Sequence, residues 1–296
     1  MRVLFIVNPI SGYGWGKKLP EKIKTLIEFR HIDYTIRFTE YAGHARIIAK
    51  EAVTAGEYTH IIAVGGDGTV SEVGTSLYGS EVAFGIVSLG SGNGFARHLG
   101  YSLSMKKALK QILLESYAYI DMLEMNGVYF LNVSGVGFDA EVAHEFNRFK
   151  TRGILSYLRA GIKMWFQYTG KTYKITYDGH ELTDQCFILS FANSTQYGNN
   201  ARIAPQASLR DGLMDLCLLK RPSYLALIPF LIYLLNSGLT RMKYFKEIQC
   251  KEAVVEGDIR KVHVDGEALE MSPPIRLKVH RNALKMIVPK FAGKKI

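Results

Sequence analysis

The sequence predicts an α/β N-terminal domain on a mostly parallel, Rossmann-like sheet (residues 1–122) and a β-rich antiparallel sandwich (residues 123–296), whose last few residues can return to the first domain. Three observations predict it. Apolar runs of buried-strand type alternate with helical stretches through the first third of the chain. From about Tyr117 short strands succeed one another, separated by turn signals such as Asn126-Gly127 and Asp178-Gly179. Glycine clusters stand where first-domain strands end, which is where sheets of this kind bind ligands. At 296 residues, 48% hydrophobic and 22% charged, the chain can bury two cores of ordinary globular composition.

Residues 3–7 form an apolar strand that leads into a loop over 8–18. A helix over 19–29, a strand over 34–39 and a helix from Gly43-His44-Ala45 to Ala55 follow. The strand over 61–64 runs into Gly65-Gly66-Asp67-Gly68-Thr69, and a helix over 69–78 and a strand over 83–87 continue the alternation. The loop after Asn8 fails as a P-loop, because Ser11 stands where the first glycine is required and Lys18 replaces the Ser or Thr after Lys17. No G-x-G-x-x-G fingerprint closes a βα turn either.

The Gly-Gly-Asp-Gly turn carries the most chemistry. Its glycines allow a sharp turn and close approach of a ligand to the amides, and the helix that follows offers unpaired N–H groups to an anion. Asp67 in the middle of an anion site makes sense where Mg²⁺ accompanies the phosphate. Thr69 suits an N-cap or a phosphate donor, and Glu72 stands at the capping-box position. A second glycine loop, Gly90-Ser91-Gly92-Asn93-Gly94, follows the next strand and lets both turns approach one phosphate chain. The plainer alternative is a pair of surface turns with Asp67 solvated.

The second half reads as strands over 118–121, 128–133, 173–177, 187–191, 216–219, 252–255, 262–264 and 275–279, interrupted by helices over 138–149 and 154–168. Segment 224–235 lacks charge and contains Pro229, but is too short to span a bilayer, for which about 20 apolar residues are needed. Core helix is its default reading. Contact with lipid is the sharper one, encouraged by Lys220, Arg221, Arg241, Lys243 and Lys246 on its flanks. The net charge of +10 favours anionic partners without choosing among phosphates, acidic lipid and nucleic acid. The basic residues are spread along the chain, with Lys150, Arg152, Lys290, Lys294 and Lys295 among them. Cys186, Cys217 and Cys250 lie far apart in apolar surroundings, as expected of buried thiols in a reducing compartment. The apolar start is too short for a signal peptide, so the sequons at Asn132 and Asn193 carry no weight.

Taken in order, Asn8-Pro9 with Ser11-Gly12, Thr39 with Gly43-His44-Ala45, Gly65-Gly66-Asp67-Gly68-Thr69, the Gly90-Ser91-Gly92-Asn93 loop, Gly135-Val136-Gly137-Phe138-Asp139, Asp211-Gly212-Leu213-Met214-Asp215 and Asp265-Gly266-Glu267 resemble the diacylglycerol kinase catalytic-domain family. This family takes in bacterial lipid kinases together with sphingosine and ceramide kinases. The first-domain motif alone is shared with NAD kinases and phosphofructokinases, so the second-domain motifs give the resemblance its specificity. It implies a nucleotide-binding first domain, ATP and Mg²⁺ as cofactors, and a lipid hydroxyl as acceptor. The thiols and the basic flanks of segment 224–235 lead us to expect a cytoplasmic protein, peripheral to the inner membrane face, in transient contact with acidic lipid and not with nucleic acid. Carried over by motif, Asn8, Thr39, Gly65, Gly66, Gly68, Thr69, Glu72 and Ser91 would face the nucleotide, and Asp67 would organise the Mg²⁺ network. Glu267 would be the general base, and Asp211 with backbone oxygens near Met214 and Leu216 would hold a structural Mg²⁺. Gly94 departs from the bacterial pattern, where Asp is common. Read without the family, Glu267 is a solvated residue after an Asp-Gly hairpin turn, and Asp211 and Asp215 are turn carboxylates.

Two rivals stay open: a soluble-substrate kinase of the NAD kinase type, and a non-catalytic nucleotide- or lipid-binding protein on the same scaffold. Nothing in the sequence decides between a monomer and a homodimer, or which lipid is the acceptor.

Overall fold

The computed structural model describes residues 1–27, 32–149 and 154–289. The chain divides into two compact units, Met1–Met122 with Arg281–Ile296, and Leu123–His280. The expected helical end at residues 28–29 and the cations Lys150, Arg152, Lys290, Lys294 and Lys295 lie outside the described residues.

In the first unit the elements run β1 (Arg2–Val7), α1 (Ser11–Gly14), α2 (Leu19–Ile27), β2 (Asp33–Phe38), α3 (His44–Ala55), β3 (His60–Gly65), α4 (Asp67–Ser76), β4 (Ala83–Ser88), α5 (Gly94–His98), α6 (Met105–Ile112) and the start of β5 (Tyr117–Met125). The strands are parallel in the order β2-β1-β3-β4, with Val3 opposite both Tyr34 and His60, and Ile61 opposite Phe84. The far end of β18 (Ile275–Ile287) completes the sheet, Met286 lying opposite Phe84. β3 and β4 are buried along their whole length, which explains why they read as unbroken apolar runs rather than alternating ones. Helix α4 begins at Asp67, not Thr69, and its N-cap is Gly66 without a side-chain cap. The N-cap role expected of Thr69 is therefore corrected.

The second unit continues with β6 (Val128–Phe130), β7 (Val133–Gly137), α7 (Phe138–Asn147), α8 (Ile154–Gln167), β8 (Lys171–Tyr177), β9 (His180–Cys186), β10 (Ile188–Ala192), β11 (Gln196–Gly198), β12 (Ala201–Arg202), β13 (Met214–Leu219), α9 (Leu227–Leu235), β14 (Phe245–Cys250), β15 (Glu252–Gly257), β16 (Lys261–Val264) and β17 (Glu267–Glu270). One antiparallel sheet runs β14-β13-β10-β7-β16-β17, and the other carries β18-β15-β8-β9. Alternation along the strands shows how they pack. In β13, Met214, Leu216 and Leu218 enter the core between the sheets, while Cys217 and Leu219 join Phe138, Trp165 and Phe230 in a second core under the helices. Both faces of β13 are therefore covered, and none of its residues is exposed. The hairpin signals act as read: Asn126-Gly127, Asp178-Gly179 and Asp265-Gly266 all have positive φ at both positions, the geometry of a type I′ turn. The strand expected over 128–133 is interrupted instead at Leu131–Asn132, for a reason given below. The thiols are buried; burial pushes Cys186 up to about 12, so it is not a nucleophile.

Candidate active site

The C-terminal ends of β2, β1, β3 and β4 form a staircase, continued past the strands by Thr39 N–H donating to Val7 O at 2.8 Å, Asn8 N–H to Val64 O at 2.9 Å, and Leu89 N–H to Gly65 O at 2.7 Å. Asn8, Thr39, Gly65 to Thr69 and Ser91 therefore sit at neighbouring strand ends. The two glycine turns touch, for a Cβ on Gly90 would lie 2.7 Å from Gly66 Cα and 2.8 Å from Asn93 Oδ1. Gly65 is required for a different reason: its Cβ would fall 2.5 Å from Thr69 Oγ1. Thr69 is buried in the first turn of α4, and its hydroxyl lies 3.5 Å from Asn8 Nδ2. Gly68 and Ser91 are exposed, and a Cβ on Gly68 would meet nothing within 4 Å. The first turn of α4 is therefore open at Gly68, where the amides of a helix start and the helix dipole favour an anion.

Asp67 does more than occupy this turn. Its Oδ2 accepts the Asn93 amide at 2.7 Å and its Oδ1 the Gly94 amide at 2.8 Å. The carboxylate of the first glycine turn thus clamps the second. Asn93, with φ 53, donates from its side chain to Gly90 O at 2.7 Å, and Arg97 Nε donates to Gly92 O at 3.1 Å. Gly94, the departure noted in the sequence, contributes through its amide. Glu72 does not complete a capping box; its Oε1 accepts the Gly43 amide at 3.0 Å, tying α4 to the start of α3. His44 stacks on Tyr41 at 4.7 Å and its Nδ1 accepts the Glu40 amide at 3.1 Å.

In the second unit Glu267 opens β17, paired with Val264 across the Asp265-Gly266 turn, and is exposed. Both the hairpin and the exposed carboxylate are therefore present. Asp265 anchors the turn: its two oxygens accept the Leu131 amide at 3.0 Å and the Asn132 amide at 2.8 Å. This is why the strand breaks there, since those amides leave the ladder for a carboxylate. From the other side Asn193 Nδ2 donates to Leu131 O at 3.0 Å, and Ser194 hydrogen-bonds Asn132 through its hydroxyl. Asn132 and Asn193 are 8% and 1% exposed, which closes both sequons to glycosylation.

The second unit also holds a buried polar group that sequence reasoning missed. Asp139 Oδ2 accepts Ser190 Oγ at 2.7 Å and Tyr197 OH at 3.1 Å, and lies 3.1 Å from His263 Nε2. Gly135 leaves room for that carboxylate, as its Cβ would lie 2.6 Å from Asp139 Oδ2. These residues come from separate stretches of sequence and share no spacing, so only the fold reveals them.

Asp211, Met214 and Leu216, expected around a Mg²⁺, lie in the turn before β13 and along that strand. Asp211 Oδ1 accepts the Leu213 amide at 3.0 Å and closes its own turn. Leu216 has a strand on each side, opposite Phe191 and Ile248, so its carbonyl faces a neighbouring strand. Burial, with Glu247 alongside, pushes Asp215 up to about 7. Among the described residues no group of three or more His, Cys, Asp or Glu could hold a metal ion.

Comparison with known proteins agrees across both units. Residues 2–125 match the diacylglycerol kinase catalytic domain, and residues 132–288 match the YegS C-terminal NAD kinase beta sandwich-like domain. A diacylglycerol kinase of Bacillus subtilis is 29% identical over 297 residues, covering 98% of this chain and 97% of that one. The Pseudomonas aeruginosa protein named "Probable lipid kinase YegS-like" is 30% identical over 262 residues, 87% of this chain and 85% of that one. The crystal structure of a diacylglycerol kinase from Bacillus anthracis superimposes with a TM-score of 0.74 over 98% of this chain and 97% of that one, at 23% identity, and supports the fold. With both halves matched, the chain belongs to the diacylglycerol kinase catalytic-domain family of lipid kinases.

Proposed function

We propose that the protein transfers the γ-phosphoryl group of ATP, with Mg²⁺, to a hydroxyl of diacylglycerol or a related membrane lipid. The observation that carries this reading is the Asp67 clamp. A carboxylate that fixes two glycine turns against each other suits a cradle for a phosphate chain, because phosphoryl transfer needs positioning and charge neutralisation above covalent help. The amides at the start of α4 and the Ser91 loop bind the triphosphate, and Asn8 and Thr39 line the adjoining strand ends. Mg²⁺, held with the triphosphate near Asp67, would neutralise charge on the transferred group. Glu267 accepts the proton of the lipid hydroxyl as its oxygen bonds to the γ-phosphorus, while the bond to the bridging oxygen breaks and ADP leaves. Such a base contributes about 10²- to 10⁴-fold. The acceptor is held in bilayers by its acyl chains, so turnover takes place at a membrane surface.

Radiolabelled ATP with a panel of diacylglycerol, monoacylglycerol, phosphatidylglycerol, a sphingoid base and NAD tests the reading. Label should enter a lipid in wild type and be lost in Glu267→Gln, with ATP binding retained. Label in NAD and in no lipid would overturn it, as would full turnover by Glu267→Gln.

A further inference from the structure

Strand β17, which carries Glu267 at its start, lies at the edge of its sheet and, among the described residues, pairs with β16 alone. Strand β16 in turn meets β7 at two positions, Val262 opposite Val136 and His263 opposite Gly135. A hairpin with so little sheet beside it is marginal without further support. Asp265 fastens its turn through the Leu131 and Asn132 amides, and helix α7 packs on both of its strands. Three successive residues of β16 each meet one α7 side chain. Lys261 Nζ donates to Glu141 Oε2 at 2.6 Å, Val262 O lies 3.3 Å from His144 Nε2, and His263 Nε2 lies 3.1 Å from Asp139 Oδ2.

The middle contact reaches furthest. The same His144 nitrogen lies 3.0 Å from Leu269 O on β17, and Leu269 is the residue opposite Val262. Both partners are carbonyls, which only accept, so Nε2 carries the hydrogen and donates to the two strands at once. One ring thereby ties β16 to β17 two residues along from Glu267. His144 is half-buried and belongs to neither apolar core. Apolar packing alone tolerates sliding, whereas a directed N–H fixes where each strand lies. A general base needs that fixity, because a displacement of about 1 Å costs about 10²-fold in rate.

We propose that His144 is a positioning residue for Glu267: through the Val262 and Leu269 carbonyls it fixes the hairpin on α7, so that the carboxylate meets the acceptor hydroxyl. The Glu141–Lys261 and Asp139–His263 contacts hold the neighbouring residues of β16 to the same helix. The inference rests on the reading of Glu267 as the general base, and the experiment separates the two. His144→Leu and His144→Gln are made in wild type and in Glu267→Gln, and initial rates are measured with ATP and a short-chain diacylglycerol. Glutamine can place its amide N–H where the ring nitrogen stood, and leucine cannot donate. His144→Leu should lower kcat about tenfold or more, with KM for ATP unchanged, and His144→Gln should stay within about threefold of wild type. In the Glu267→Gln background His144→Leu should cost less than about twofold, since residues that act as a unit are not additive. Wild-type kcat in His144→Leu would overturn the proposal, and so would His144→Gln as slow as His144→Leu. An equal fold loss in both backgrounds would overturn it while leaving the base reading intact, because the histidine would then act without the carboxylate. Full turnover by Glu267→Gln would instead overturn the base reading, and this inference with it. If His144→Leu fails to fold, His144→Asn, whose amide is too short to reach both carbonyls, takes its place in every comparison.

Discussion

Gly90 and Gly66 meet backbone to backbone, at a separation that a single methyl on Gly90 would reduce to 2.7 Å. The proposed phosphate cradle is therefore one object made from two turns. Gly90→Ala should push them apart at an overpacking cost of about 1–3 kcal/mol. Calorimetric titration with ATP and Mg²⁺ should show affinity down by about tenfold or more. Unchanged affinity in a folded variant would mean that the contact is incidental.

Asp67 is the link between those turns, and its loss should be felt in geometry first. In Asp67→Asn one oxygen becomes an amide that faces a backbone donor, so either the Asn93 or the Gly94 bond is lost. Turnover should fall by about 10²-fold from misplacement of the phosphate chain, with stability lowered by about 1–3 kcal/mol. Denaturant melts beside initial rates check both, and a stable variant with wild-type turnover would contradict the clamp.

Asp265 plays the matching part under Glu267. Asp265→Ala strips the acceptors from the Leu131 and Asn132 amides and should cost about 2–4 kcal/mol. The rate should drop as Glu267 loses its fixed position, while ATP affinity is kept, since the hairpin belongs to the second unit. ATP affinity falling in step with the rate would show that Asp265 acts otherwise.

Acid stability offers an independent check. Lys163, 2.5 Å from the Glu145 carboxylate, holds it below its ordinary value of 4.5 against the opposing effect of burial, with help from Arg148. A carboxyl depressed by folding stabilises the protein above the unfolded value, and that contribution disappears as pH falls through the folded one. Glu145→Gln should accordingly be less stable than wild type at pH 7, and the gap should close as pH falls well below the ordinary 4.5. Urea melts at the two pH values measure it; a gap independent of pH would assign the loss to packing.

Much of this was legible in the sequence because it is local. Parallel strands buried on both faces announce themselves as apolar runs, and Asn-Gly or Asp-Gly permits a hairpin that few other pairs allow. What stayed hidden depends on partners far along the chain. Glu72 looks like a capping-box residue until the fold brings Gly43 to it, and the break at Leu131–Asn132 has its cause in Asp265. The Asp139, Ser190, Tyr197 and His263 group could not be found by spacing at all. The exposed half of segment 224–235 was half visible, since composition showed it apolar and uncharged, but only packing separates Phe230 from Leu225.

The first unit borrows its last strand from beyond the second: Met286 pairs with Phe84 only after nearly the whole chain has been made. A nascent polypeptide leaving the ribosome therefore carries β4 with a bare edge throughout synthesis of the sandwich. A bare strand edge is a template for mispairing, so premature termination before Arg281 should yield an aggregation-prone product rather than a working half.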